Sequence, residues 1–511
     1  MAILGTLLKK GIKLRESLEQ EYSSPAELQK NELKKLMIEA ADTEFGKYYD
    51  FQEKLAEFRK GPRQFYRSFK RKVPIHDYNK MYKDWWQLSL KGAKNICWPG
   101  KVKYFALSSG TSEASSKYIP VTKEMTKAIR KTSVRQILTL DKYDLPPEVF
   151  AAGILMIGGS THLNKKGNYF EGDLSGIQAA NLPFWFQHFY KPGKRIAKTR
   201  NWEAKLAEIT EKAKDWDIGI IVGVPAWIQI LLEKIITHYK AKNIHEVWPN
   251  LAVYVHGGVS FDPYRKGFEK LLGRPIHYIE TYLASEGFIA YQTLPMRRSM
   301  KLVLNNGIFY EFVPFDDKNF LPSGEIKPEA EALMIDEVEE GKEYAILLST
   351  CAGAWRYLIG DVIKFTSVEE SELIITGRTK HFLSLCGEHL SVDNMNKAIE
   401  LVADELNIAI REFTVAGIPH GSLFAHHWYV GTDDPVDKKK LRDRLDFHLE
   451  KLNDDYAVER KAALKEVLVD VLPVQTFYDY MEARGKVGGQ NKFPRVLKNA
   501  QREEWEKFIA R

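Results

Sequence analysis

Apolar and polar residues follow three different rhythms along this chain. Up to about residue 100 the spacing is helical and rich in charge, most clearly in LQKNELKKLMIEAADTEFGKYY and YNKMYKDWWQLSL. The first twenty residues, MAILGTLLKKGIKLRESLEQ, place apolar side chains at 3, 4, 7, 8 and 12 between lysines, the pattern of a short amphipathic helix. From about 100 to 300 short apolar runs end in glycine or hydroxyl residues and lead into helical stretches. IGIIVG (218–223) predicts a buried strand, and Pro225 opens the helix AWIQILLEKIITHY, where the first turn tolerates proline. LAVYVHGG (251–258), the helix FDPYRKGFEKLLG and the strand PIHYIETYLASEG repeat the theme, which predicts a largely parallel sheet with helices against it.

The third rhythm covers 300–376. A turn-forming Asn-Asn-Gly precedes IFYEFVPF, and EYAILLST, YLIGDVIKFTS and SELIITG follow as short strands, predicting a small antiparallel or barrel-like piece. A polar turn at about 378–384 separates this from a β-α-β succession: a helix from about 391, strands near 412–418 and 426–431, the charged helix KKKLRDRLDFHLEKLN, and EVLVDVLP. With 511 residues, more than one domain is expected, and the boundary is drawn here: a large domain over 1–380 and a small one over 381–511.

Composition narrows the function by exclusion. A hydrophobic share of 44% suffices for sizeable cores, and a net charge of +7 suits an anionic small molecule as readily as an ordinary solvated surface. No basic run with interleaved aromatics points to nucleic acid. No stretch reaches the roughly 18 apolar residues of a membrane span. Cys97, Cys351 and Cys386 are odd in number, far apart and without metal-ligand spacing, so neither a disulfide framework nor a zinc site is indicated and a cytoplasmic location is expected.

Four loops carry candidate chemistry. SSGTSEASSK (108–117) brings six hydroxyls, one glycine and a lysine together after a short strand. It lacks the GK[ST] ending of a Walker loop, yet its hydroxyls and the N–H groups around Gly110 could meet phosphate oxygens, with Lys117 adding charge. HGGVS (256–260) lets a ligand approach the backbone closely. TYLASEG (281–287) offers a stacking ring in Tyr282 and a hard oxygen ligand in Glu286. WRYLIGD (355–361) ends in Gly360-Asp361, either a hairpin turn or a carboxylate for two ribose hydroxyls. Taken singly, each is also what an ordinary turn looks like. Trp185, Phe186 and Trp227 could line an acyl pocket or fill a core, and His162, His188 and His256 show no Ser-His-carboxylate arrangement.

The order of these stretches is more telling than any one of them. SSGTS-x₄-K, HGGVSFDPY, TYLASEG, YLIGD and GRTKHFLSLCGEHLS resemble the motif series of the adenylate-forming superfamily. More narrowly, the chain is similar to the auxin-responsive Gretchen Hagen amido synthetase family, bacterial members included, and QNKFPRV (490–496) resembles its closing Gln-x-Lys-x-Pro-Arg element. The resemblance implies an α/β fold: a large N-terminal domain of α/β layers with a small barrel-like part, and a smaller, mobile α+β C-terminal domain. It implies ATP and Mg²⁺ as cofactors, with a carboxylic acid and an amino acid or other amine as small-molecule partners. Ser108, Ser109, Gly110, Thr111 and Ser112 would then wrap the phosphates. Tyr282 would stack on adenine beside Gly258, Ser285 would stand next to the Mg²⁺ ligand Glu286, and Asp361 with Arg378 would hold the ribose. Lys492 would be the catalytic lysine, with Lys486 as its competitor. Two departures stand out: Ala284 replaces a serine of the usual run before Glu286, and Thr379-Lys380 stand at the hinge where many relatives have aspartate. An acid–thiol ligase joining the acid to coenzyme A, and a nucleotide-binding protein without turnover, are the alternatives.

Overall fold

The computed structural model describes residues 24–510 except 59–61, 109–116, 183, 259–260, 296, 322–323, 380–381, 384–389, 421–422, 454–455, 458–459, 461–463, 486–492 and 498. The expected helix over the first twenty residues lies outside this range. The chain packs as two compact units. One takes residues up to Val222, Trp248–Gly258 and Ile276–Ile375; the other takes Gly223–Val247, Val259–Pro275 and the chain from Thr376 on.

Helices dominate the start of the first unit. Helix α1 (Pro25–Ala40) begins at a capping box, in which the Ser24 hydroxyl accepts from Glu27 N and the Glu27 carboxylate accepts from Ser24 N. Its inner face buries Leu33, Leu36 and Met37, and α2 (Pro62–Lys72) adds Phe65, Tyr66 and Phe69 to the same core. A four-stranded sheet follows, built from β1 (Tyr104–Ser108), β2 (Lys117–Val121), β4 (Asn164–Lys166) and β5 (Tyr169–Gly172) in the order β2-β1-β5-β4.

The larger sheet has eleven strands: β3 (Gly153–Met156), β6 (Tyr190–Lys191), β7 (Ile218–Val222), β8 (Val253–Gly257), β9 (His277–Ala284), β10 (Gly287–Tyr291), β11 (Met300–Leu302), β12 (Ile308–Pro314), β13 (Glu343–Thr350), β14 (Tyr357–Ser367) and β15 (Glu372–Arg378). Their order is β12-β13-β14-β15-β11-β10-β9-β8-β7-β3-β6. Strands β6, β3, β7, β8 and β9 run parallel, which is the expected α/β layer. The strands over 300–376 continue the same sheet as its antiparallel part. Flat, four strand spacings would hold β9 and β14 about 19 Å apart. Yet the Tyr282 hydroxyl on β9 donates to the Asp361 carboxylate on β14. The sheet therefore coils strongly between them, and the separate small antiparallel or barrel-like piece expected over 300–376 is instead the coiled continuation of this one sheet.

In the second unit, β16 (Phe382–Leu383) pairs with β17 (Leu390–Ser391), and β18 (Glu412–His420), β19 (Leu423–Gly431), β20 (Leu464–Leu472) and β21 (Val496–Leu497) form a sheet in the order β20-β19-β18-β21. Its core combines Met395, Ile399 and Val402 of the helix Val392–Leu406 with Leu441, Leu445 and Leu449 of the helix Lys438–Leu452.

One buried group makes the first unit acid-sensitive. His76 is fully buried, donates from Nδ1 to the Trp355 carbonyl at 2.9 Å, and sits beside the Phe45 and Tyr49 rings. Desolvation pushes its pKa down to about 4. The unfolded chain takes up this proton near pH 6.5 and the folded chain only near 4, so stability is full above 6.5 and falls between those values. A difference of this size corresponds to about 3 kcal/mol lost by pH 4. Urea denaturation of the parent should show that decline, and His76→Asn should flatten it; an equally steep decline in the variant would refute the assignment.

Candidate functional site

The site grows out of two irregularities in the large sheet. The first lies where β8 meets β9. Gly257 pairs with Thr281 so closely that a Cβ on it would stand 2.4 Å from the Thr281 carbonyl oxygen, so no side chain fits there. The next residue is exposed Gly258, which leaves the strand at φ +84°. The second is a bulge in β14. Ala345 pairs with Val362 and Leu347 with Leu358, so Ile346 alone faces Ile359, Gly360 and Asp361. Gly360 at φ +90° makes the bend. Of the two readings of Gly360-Asp361, a hairpin turn does not apply: both lie inside an eleven-residue strand. The bulge re-aims Asp361, whose carboxylate accepts the Tyr282 hydroxyl.

Tyr282 itself is buried and belongs to the main core cluster, with the half-buried Ala284 packed against it. At the turn of the β9–β10 hairpin come half-buried Ser285 and buried Glu286, 7% exposed. Five expected residues thus come from three chain segments: Gly258, Tyr282, Ser285 and Glu286 around the ends of β8 and β9, and Asp361, which meets Tyr282 from β14. A carboxylate in a bulge, a phenol ring and a nearby buried carboxylate form a donor set suited to a nucleoside and to a hard cation.

The other expected residues are placed less fully. Ser108 closes β1, paired with Lys117 on β2, and Lys117 Nζ stands 5.5 Å from the centre of the Tyr78 ring. Ser109, Gly110, Thr111, Ser112, Lys380, Lys486 and Lys492 lie outside the described residues. Arg378 ends β15, half-buried. Phe493 and Arg495 of the QNKFPRV element are described. Phe493 packs on Phe477, Tyr480 and Trp505, and Arg495 Nη1 donates to Glu412 at 2.7 Å and to the Phe413 carbonyl at 2.9 Å. In the stretch expected to line an acyl pocket, Leu174 and Ile177 enter the core and Phe186 is half-buried. Burial raises the Asp173 carboxyl, with Lys205 opposing the shift. Trp227 is buried in the second unit beside Tyr478. His162 and His188 are exposed, and His256 is buried.

Sequence reasoning passed over one buried charged group in the first unit. Arg356 donates through Nε to both oxygens of Glu311, at 3.1 and 2.9 Å, and Tyr66 Oη donates to the same carboxylate at 2.9 Å. The signal was an arginine inside the apolar run AWRYLI, where a charge must find a partner.

Superposed on solved structures, the fold is that of the adenylate-forming enzymes. A GH3.15 acyl acid amido synthetase matches with a TM-score of 0.75 at 17% identity, covering 98% of this chain and 96% of that one. A 2-hydroxyisobutyryl-CoA ligase in the postadenylation state matches at 0.61 and 11% identity, over 94% and 92%. The chain belongs to the GH3 family: the family's N-terminal domain matches residues 14–166 and 160–276, its central domain 301–375 and its C-terminal domain 393–501. A jasmonoyl–L-amino acid synthetase GH3.5 of Oryza sativa subsp. japonica is 30% identical over 178 residues, 32% of this chain. The chain spans 29% of that curated relative's length.

Proposed function

We propose that the protein is an ATP-dependent acyl-acid amido synthetase, which activates a carboxylic acid as its acyl-adenylate, releases pyrophosphate, and passes the acyl group to an amine, an amino acid in the first instance. The observation that carries this reading is the Tyr282–Asp361 pair, in which the bulge of β14 meets β9 near the end where β9 adjoins β8, close in sequence to Glu286. Ligands of open α/β sheets bind in such places. The relatives' names, a jasmonoyl–L-amino acid synthetase and an acyl acid amido synthetase, agree with it.

A carboxylate is a poor electrophile because its oxygen leaves badly. ATP, when bound, supplies AMP as the better leaving group. The protein's part is then to hold charge where it accumulates. Tyr282 stacks on the adenine with Gly258 beside it, and Asp361 and Arg378 take the ribose hydroxyls. A carboxylate oxygen accepts more than one hydrogen bond, so the Tyr282 contact is compatible with that role. The turn from Ser108 to Ser112 donates hydroxyl and N–H groups to the phosphates. Glu286, flanked by Ser285, would hold Mg²⁺, whose charge would offset that of the phosphates; a single protein carboxylate suits that ion. Lys492 neutralises the reacting carboxylate and the phosphate it attacks. A domain over 381–511, turning at a hinge near 378–384, serves the two half-reactions in succession. We place the protein in the cytoplasm, in keeping with its buried free thiols Cys97 and Cys351; among the described residues no helix is long and apolar enough to cross a membrane.

Pyrophosphate release measured across a panel of carboxylic acids, followed by product mass with amino acids or coenzyme A added, tests the reading. Acid-dependent release and an amide mass are expected. A thioester mass would transfer the protein to the thiol ligases, and no release with any acid would remove the activity altogether.

A further inference from the structure

We propose that Glu171 forms the floor of a binding site for the ammonium group of the amine acceptor. This deepens the amido synthetase reading and rests on it. The site is built on the four-stranded sheet. Glu171 on β5 pairs with Phe105 on β1, and Leu107 on β1 pairs with Tyr118 on β2. Alternation along the strands places Tyr118, Tyr169, Glu171, Phe105 and Leu107 on one face, while Ala106, Ile119 and Val121 point the other way into the core.

On that face the carboxylate is deep and the rings are shallow. Glu171 is 6% exposed, whereas Tyr118 and Tyr169 are half-buried. Its Oε2 is buried and has no hydrogen-bond partner among the described residues. Its Oε1 lies 3.9 Å from Nζ of Lys166, a side chain 59% exposed. Burial raises the hydroxyl pKa of Tyr118 and of Tyr169, and in both the next cause is the charge of Glu171, which sets the phenols close to the carboxylate. Tyr82 acts on both phenols and stacks on Tyr78, whose hydroxyl accepts from Tyr118 N at 2.9 Å.

A buried carboxylate oxygen without a partner is costly to keep, and such groups in native structures call for an explanation. A cation supplies one. One carboxylate beneath aromatic rings leaves a divalent metal no room for the water and phosphate oxygens that would complete its shell. It is well matched to an ammonium, which hydrogen-bonds the oxygen while the rings meet its charge. The sheet also places the group usefully: β1 runs from Phe105, the partner of Glu171, to Ser108, where the proposed phosphate-binding turn begins, roughly 10 Å further on.

The test separates the two half-reactions. In Glu171→Gln, acid-dependent pyrophosphate release should stay within about threefold of the parent, while KM for the amino acid rises roughly 10–100-fold, the effect of losing one charge-assisted contact. Hydroxylamine, neutral near pH 7.5, should trap the acyl-adenylate equally well in parent and variant. Tyr169→Leu, at a half-exposed position, should raise the acceptor KM in the same direction. Release retained with an unchanged acceptor KM in Glu171→Gln overturns the site. If Glu171→Gln loses both half-reactions, an unchanged acceptor KM in Tyr169→Leu overturns it instead. Absence of release in the parent removes the amido synthetase reading, and the acceptor site with it.

Discussion

Lys492→Ala lowers acid-dependent pyrophosphate release by about 10²–10³-fold and leaves ATP binding in place, the cost of removing one preorganised electrostatic contact at the reacting centre. The reasoning is chemical. The carboxylate and the phosphate it attacks are both anionic, so their approach needs a cation that is in place as charge accumulates. The nucleoside end of ATP is held elsewhere in this reading, by Tyr282 and Asp361, which is why binding and rate should separate. Lys492 lies outside the described residues, but the chain immediately after it is anchored: Phe493 lies among Phe477, Tyr480 and Trp505, and Arg495 is tied to buried Glu412. Tyr264 donates to that same Glu412 at 2.7 Å. Lys486→Ala is the comparator and should release pyrophosphate at close to the parent rate. Isothermal titration with ATP and a pyrophosphate assay on both variants decide the matter; an undiminished rate in Lys492→Ala withdraws the lysine from the mechanism.

Much of the frame was legible because its signals are local. The apolar run at 218–223 is β7 almost to the residue, Pro225 does open a helix, and the glycines after LAVYVH do end a strand. Asp361 and Tyr282 were each legible as candidates, yet nothing local joins them. They are 79 residues apart, and their contact depends on a bulge in β14 and on the coiling of the sheet between β9 and β14. Glu171 was harder still. It sits in a four-residue strand, Tyr-Phe-Glu-Gly, too short for alternation to show which face is buried. Period-two alternation places residues on faces; it does not say which face another layer covers.

Arg356→Met destabilises the first unit by about 3–5 kcal/mol, because it strands a buried carboxylate. Glu311 is 1% exposed and receives both Arg356 Nε and Tyr66 Oη. Arg356 also donates through Nη1 to the carbonyls of Lys70 and Val73, at 3.0 and 2.8 Å, where the last turn of α2 has no partners of its own. It does so from φ +45°, a left-handed conformation that costs an ordinary residue roughly 1–2 kcal/mol. That cost persists only because four hydrogen bonds and a backbone bridge from His76 to Arg356 and Leu358 hold the segment in place. The charge argument can be isolated. Adding Glu311→Gln to Arg356→Met removes the stranded charge and keeps an acceptor for Tyr66, so the double variant should recover about 2 kcal/mol of the loss, the usual size of a coupling between groups in direct contact. Urea denaturation of the two single variants and the double variant closes the cycle. Strictly additive losses would mean that Arg356 acts through the helix carbonyls alone and that Glu311 is stabilised by other means.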